Sequence, residues 1–126
     1  MSFEIAQRFF FEAAHTLDRA VADEAEGSRR IHGHTYQAEV AVVGEPDAVT
    51  GMVVDLAHLR AAIAVVRDAL DHRLLDEVPG LGAATLENLC RFIAGAMDGI
   101  SPPVCRVKVW REASGDSCTF HPPPPS

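Results

Sequence analysis

The chain has 126 residues, 48% of them hydrophobic and 23% charged, with a net charge of −7 at pH 7. This length and composition predict one soluble globular domain with a modest core. The acidic balance, without a cluster of Lys and Arg, argues against nucleic acid or an anionic membrane as the partner, since both need concentrated positive charge.

The N-terminus and the cysteines indicate a cytoplasmic protein. No apolar run reaches the roughly 18 residues of a membrane span. The first segment carries Glu4 and Glu12 where a signal peptide would be basic. Cys90, Cys105 and Cys118 are odd in number and widely spaced, which is typical of buried thiols in a reducing compartment.

Alternating side chains predict that the chain begins with two strands. In residues 3–15 the apolar Phe3, Ile5, Phe9 and Phe11 fall on one parity, and the charged Glu4, Arg8 and Glu12 on the other. Residues 32–43 are rich in β-formers and end before Pro46. The charged residues 18–30 between them are predicted to form a loop.

Two helices are predicted next. Asp55 is a natural N-cap for a helix over residues 56–70, and Thr85 for a helix over residues 86–98. Helical spacing of apolar residues supports both. The side chains predicted to face inward are Leu56, Leu59, Ile63, Val66 and Leu70 in the first helix, and Leu86, Leu89, Phe92, Ile93 and Met97 in the second.

The C-terminal part is predicted to return to strands, over residues 104–112 and 116–121. The proline-rich residues 121–126 are expected to be a disordered tail, which leaves a single domain over residues 1–120. The order β-β-α-α-β-β predicts an α+β fold with an antiparallel sheet.

The sharpest chemical feature is the sequence His32-Gly33-His34. Residues at i and i+2 on a strand project to one face, where two ring nitrogens can reach one ion at about 2.0–2.1 Å. By itself such a pair is more often two surface or hydrogen-bonded histidines. His15, however, ends the first strand on its apolar parity, and pairing of the first two strands would bring it to the same face. Three imidazoles without a thiolate match a catalytic zinc site with an open fourth position.

Two further candidates lie at element ends. Asp71 and His72 close the first helix, and are either a general acid–base pair or a solvated helix end. Glu112 closes the strand over residues 104–112. It could accept two parallel N–H donors from a heterocycle edge, or it could be an ordinary charged strand end. His58 and His121 are expected to be surface residues.

Read together, these segments resemble the 6-pyruvoyl-tetrahydropterin synthase / 6-carboxy-tetrahydropterin synthase family, which has the tunnelling fold. They follow the family's order at close to its spacing from residue 3 to residue 120. The matching segments are FEAAH (11–15), HGHTY (32–36), GMVVD (51–55), LDH (70–72), PGL (79–81), TLE (85–87) and WRE (110–112).

The resemblance implies Zn²⁺ bound by His15, His32 and His34, and proton transfer by Asp71 and His72. It also implies an architecture: a four-stranded antiparallel sheet with two helices on one face. Such units oligomerise into barrels, typically homohexamers built as dimers of trimers, with active sites at subunit interfaces.

For the substrate, the resemblance implies a pterin anchored by Glu112, with Thr85 lining its pocket. Ala84 stands where the family has a proline before this threonine. The implied activity is a zinc-dependent lyase reaction on 7,8-dihydroneopterin triphosphate or a related dihydropterin. The product would be of the 6-carboxy, 6-pyruvoyl or 6-hydroxymethyl type, and the 6-carboxy enzyme belongs to queuosine biosynthesis.

One position departs from the family. Ser28 stands four residues before His32, where the family places a catalytic cysteine, and a serine hydroxyl is not appreciably ionised without an adjacent base. Glu24 and Glu26 in the same loop are candidate bases, and Cys118 could approach the site. The alternatives are therefore a pterin-binding protein with lost or altered catalysis, or a zinc-stabilised assembly module.

Overall fold

The computed structural model describes residues 1–16 and 30–124. The elements in chain order are β1 (Phe3–His15), β2 (His32–Gly44), α1 (Leu56–Leu70), β3 (Arg73–Leu74), a 3₁₀ turn (Leu75–Glu77), α2 (Leu86–Ala96), β4 (Val104–Arg111) and β5 (Asp116–Phe120). The four predicted strands and both predicted helices are therefore confirmed as elements. Ser28, Glu24 and Glu26 lie outside the described residues.

The sheet has five strands in the order β3-β1-β2-β4-β5, where four were predicted. All pairs are antiparallel except β3 with β1, which is parallel. The additional strand has two residues, too few to show any periodicity in sequence. It forms where the chain leaves α1, and the N–H of His72 donates to the Glu12 carbonyl at 2.6 Å.

One face of the sheet carries the hydrophobic core, and both helices cover that face. Cross-strand partners such as Phe11 and Tyr36 share this face because their strands pair in antiparallel register. The buried apolar side chains include Phe11, Ala13, Tyr36, Ala38, Val40, Val42, Val107 and Val109 from the sheet, and Leu59, Ile63, Val66, Leu70, Leu89, Cys90 and Ile93 from the helices.

Three residues of the predicted helix stripes are less buried than expected. Leu56 is 37% exposed, and burial in α1 begins at Leu59. Leu86 and Phe92 are only partly buried against the core. Helix α2 ends at Ala96 rather than at residue 98.

Both predicted N-caps are confirmed. Asp55 Oδ1 accepts a hydrogen bond from the N–H of Ala57 at 2.9 Å. Thr85 Oγ1 accepts one from the N–H of Asn88 at 3.1 Å. Each cap satisfies a donor that the first turn leaves unpaired, a contribution of about 1 kcal/mol.

The opposite face of the sheet is polar and aromatic. Glu39 on β2 accepts hydrogen bonds from Arg8 at 2.9 Å and Arg106 at 2.7 Å. The guanidinium of Arg8 lies 5.5 Å from the ring centroid of Trp110, and Phe10 is 49% exposed. Within residues 1–16 and 30–124, no helix has both the length and the hydrophobicity needed to cross a bilayer.

Candidate metal centre

The three predicted histidines meet at one end of the core face. His15 is the cross-strand partner of His32, and Ala13 is the partner of His34. Because paired residues share a face, all three imidazoles project on the side that the helices cover. One ring nitrogen from each histidine lies within 4.8 Å of those of the other two. No other group of three potential metal ligands was found in the described parts of the chain.

Backbone carbonyls orient two of these rings. The Nδ1–H of His15 donates to the Ala84 carbonyl at 3.1 Å, and that of His32 donates to the Arg30 carbonyl at 2.8 Å. A carbonyl only accepts, so Nδ1 must carry the proton in both rings. Each Nε2 then keeps its lone pair for a cation, the arrangement that metal-binding histidines usually show.

The geometry fits a single metal ion. The Nε2 atoms of His34 and His15 lie 3.0 Å apart, and two nitrogens bound to one tetrahedral zinc would lie about 3.3 Å apart. His15 is 1% exposed, and this burial lowers the pKa of its imidazole. A lowered pKa keeps the ring neutral, which is the form that binds metal. The three histidines could therefore hold a metal ion.

A cavity of about 360 Å³ opens beside the triad. Its lining includes His15, Thr85, the buried Tyr36 ring and the side chain of Arg111. Thr85, predicted to line a substrate pocket, is thus next to a triad histidine. Arg111 was not predicted as a site residue, although it shares the parity of the inward-facing valines of β4, which is the sequence signal that could have indicated it.

The structure places Glu112 away from this cavity, contrary to the prediction that it faces a pocket. Strand β4 ends at Arg111, and alternation sends the next side chain to the opposite face. Glu112 is exposed there, and its Oε1 accepts a hydrogen bond from Trp110 Nε1 at 2.7 Å. The carboxylates beside the cavity are instead Glu87 and Asp116.

Asp71 and His72 form a hydrogen-bonded pair at the C-terminal end of α1, next to β1. Asp71 Oδ2 accepts from His72 Nδ1 at 2.8 Å, and Asp71 Oδ1 accepts from the N–H of Glu12 at 2.9 Å. The hydrogen bond from the Glu12 N–H, and to a smaller extent the one from His72, lower the pKa of Asp71, so its side chain stays a carboxylate. A surface depression of about 540 Å³ is lined by His72 and also by His34 of the histidine triad. The acid–base pair and the triad therefore border the same depression.

The remaining candidates are Ser28, Cys118, His58 and His121. Ser28 is outside the described residues. Cys118 on β5 pairs with Val109, and its carbonyl is 3.5 Å from Cys90 Sγ; it lines neither depression. His58 and His121 are exposed, as expected.

Comparison with known proteins identifies what this arrangement resembles. The family model described as 6-pyruvoyl tetrahydropterin synthase matches residues 4–123. The 6-carboxy-5,6,7,8-tetrahydropterin synthase of Synechocystis is 33% identical over 105 residues, covering 79% of this chain and 78% of that protein. The dihydroneopterin monophosphate aldolase of Pyrococcus furiosus is 33% identical over 94 residues, covering 75% and 74%. Among solved structures, the 6-pyruvoyl tetrahydropterin synthase of Caenorhabditis elegans superposes with a TM-score of 0.83 at 25% identity, covering 98% of this chain and 97% of that one.

Proposed function

This chain belongs to the 6-pyruvoyl tetrahydropterin synthase family, and we propose that it is a zinc-dependent lyase acting on 7,8-dihydroneopterin triphosphate or a related dihydropterin. The reaction would alter or cleave the pterin side chain. Its relatives include pterin synthases and an aldolase, which supports lyase chemistry on this class of substrate. The observation that carries the proposal is the convergence of three imidazole nitrogens beside a cavity.

Zinc is the proposed ion because three neutral imidazoles without a thiolate are typical of a catalytic zinc site. When bound, it would supply a Lewis acid that lowers the pKa of a ligated hydroxyl. The chain's own contribution is to hold the three rings. His15 and His32 are oriented through carbonyls, and the burial of His15 excludes water from one side of the site.

Proton transfer is assigned to His72, with Asp71 as the residue that positions it. The Nδ1–H of His72 points at the Asp71 carboxylate, so Nε2 is the nitrogen that exchanges a proton with substrate. The side chain of His72 is 77% exposed, which leaves it accessible. Its backbone has φ of 58°, an uncommon left-handed conformation for a residue with a side chain, and the N–H bond to Glu12 holds it there.

Thr85 is the proposed substrate-binding residue from the cavity lining. No role at this cavity is assigned to Glu112, since it lies on the opposite face. Ser28 remains a candidate catalytic residue on the strength of its position before His32. A serine needs a neighbouring base to act as a proton acceptor, and Glu24 and Glu26 are the proposed ones.

A second candidate function is pterin binding with lost or altered catalysis, and Ser28 is the residue that favours it. In that case the chain would bind a dihydropterin without turnover. A Ser28→Cys variant would then gain activity, because a thiol supplies some thiolate near neutral pH whereas a serine hydroxyl does not. Equal turnover by both forms would argue that position 28 takes no part in the reaction.

We also propose that the protein assembles as a homo-oligomer, a hexamer by analogy with its family, in the cytoplasm. The aromatic side chain of Phe10 on β1 is 49% exposed, although the guanidinium of Arg67 from α1 lies 5.1 Å from its ring centroid. Cys90, Cys105 and Cys118 are all unpaired, which suits a reducing compartment. Light scattering on the full chain measures the assembly directly.

The deciding experiment is to incubate the zinc-loaded full chain with 7,8-dihydroneopterin triphosphate and identify products by mass spectrometry. A His32→Asn variant, which loses one proposed ligand, should form no product. His121→Asn is the matched control, because His121 is exposed and outside the triad. Substrate that stays unchanged over hours with the wild-type chain would refute the lyase proposal.

A further inference from the structure

We propose that the cavity beside the histidine triad binds an oxyanion, a carboxylate or a phosphate group, through the guanidinium of Arg111. The proposal rests on the proposed function, since it specifies the chemistry of the ligand group that this same site takes. The side chain of Arg111 carries a positive charge, whereas the residue predicted to bind a ligand at this strand end, Glu112, carries a negative one. Its basis is where Arg111 points, which of its donors are used and what surrounds it.

The guanidinium of Arg111 is held against the triad. Arg111 is the last residue of β4, and its side chain is only 11% exposed. Its Nη1 lies 3.4 Å from Nε2 of His34, and its Nη2 donates to Asp116 at 2.8 Å. The first contact places a permanent positive charge next to a nitrogen of the proposed metal site.

The donors of Arg111 are not all used by acceptors in the described chain. The Nε atom and the hydroxyl of Tyr36 are both buried, and neither makes a hydrogen bond of normal geometry among the described residues. The two groups are nevertheless neighbours, because the guanidinium opposes the rise that burial causes in the pKa of Tyr36. Nη1 faces a ring nitrogen and not a carboxylate. A guanidinium has five N–H donors, more than these contacts use, and Arg111 lines the cavity.

The charges around the cavity leave the guanidinium only partly compensated. Asp116 faces Arg111 but is 52% exposed at the rim, and Ser114 also donates to that carboxylate. Glu87 lines the same cavity from α2 and is exposed. Exposed carboxylates are well solvated and compensate a buried cation weakly.

Arg111 selects for the chemistry of its ligand. A guanidinium only donates hydrogen bonds, and its fork matches the paired oxygens of a carboxylate or phosphate. It cannot accept N–H donors from a heterocycle edge, which the predicted Glu112 carboxylate would have done. An ion at the triad would be a second cation beside Arg111, and an oxyanion between them would offset their repulsion.

The test is an NMR titration of the full chain with inorganic phosphate and, separately, with acetate, at ionic strength held constant with sodium chloride. We expect saturable binding, weakened at least 10-fold in Arg111→Met. Arg8→Met, an arginine on the opposite face, should bind within 2-fold of wild type. The tighter of the two probes shows whether the group is phosphate or carboxylate. Wild-type binding no stronger than that of chloride, or an Arg111→Met variant that binds like wild type, would overturn the proposal.

A second variant separates this effect from general damage to the fold. Asp116→Asn removes the carboxylate that competes for Nη2, so we expect phosphate or acetate to bind several-fold more tightly. A destabilised protein would not gain affinity, and unchanged or weaker binding in Asp116→Asn would count against the proposal. The titration contains no pterin and measures no turnover. It can therefore fail while the lyase assay succeeds, or succeed while the lyase assay fails.

Discussion

His15 and His32 are cross-strand partners at the end of the β1–β2 ladder, and their rings meet edge to face with centroids 4.5 Å apart. The candidate metal centre is thus a product of strand register. A slip of one residue would turn His15 to the opposite face. The ladder that buries Phe11 against Tyr36, with ring centroids 5.0 Å apart, also sets the position of the ligands.

Removing one ligand should remove the metal. We expect His15→Asn to lower zinc affinity at least about 100-fold, because two imidazoles cannot replace the third. Loss of a residue that only hydrogen-bonds to a metal ligand already lowers metal affinity by about 10–100-fold. The measurement is competition with a chelator, followed by metal analysis. His58→Asn, at an exposed position of α1, should bind zinc as wild type does. Equal affinity in His15→Asn would show that the triad is not the metal site.

Removing the proposed proton carrier should affect turnover and not metal content. For His72→Asn we expect kcat to fall by about 10²- to 10⁴-fold, the usual contribution of a positioned acid or base. Zinc content should be unchanged, since His72 is not in the triad. Turnover and metal content are measured on the same preparation, with His121→Asn as control. A His72→Asn variant with wild-type kcat would remove the residue from the mechanism.

Glu39 should make stability depend on pH. Hydrogen bonds from Arg8 and Arg106 lower its pKa in the folded state, so its contribution is complete above the unfolded pKa of about 4.3 and is lost as pH falls through the folded value. We expect Glu39→Gln to cost about 1–2 kcal/mol at pH 7. The difference from wild type should shrink below about pH 4.

Urea unfolding at several pH values measures this difference. Glu77→Gln, at an exposed position after β3, is the matched control and should change stability by less than about 0.5 kcal/mol. A Glu39→Gln difference that stays constant from pH 7 to pH 3 would show that the carboxylate charge contributes nothing there.

The stability of the fold should depend on the packing of α1 against the core face of the sheet. Leu59 is 0% exposed, and Leu59→Ala should cost about 2–5 kcal/mol through lost burial and the remaining cavity. Val65→Ala, on the same helix but 72% exposed, should change stability by less than about 0.5 kcal/mol. Chemical unfolding measures both. A loss below about 1 kcal/mol in Leu59→Ala would mean that the helix can collapse onto the sheet without it.

The sequence by itself determined what depends on local pattern. Alternation set the face of each strand residue, including the side on which His15 and His34 project. Helical spacing and capping residues set where the helices begin, so Asp55 and Thr85 were correctly predicted as caps. These features follow from rules that act over a few residues, such as the two-residue period of a strand.

Only the tertiary structure decided the features that depend on contacts between distant segments. The pairing of β3 with β1 joins residues 60 apart in sequence, such as Ala13 and Arg73, and the bond from Glu12 to Asp71 joins residues 59 apart. Arg111 has the inward parity of Val107 and Val109, but only the meeting of α2 and β5 with the end of β4 decided that a cavity lies there and that Arg111 lines it. That physical dependence on neighbouring elements determines the charge beside the histidines.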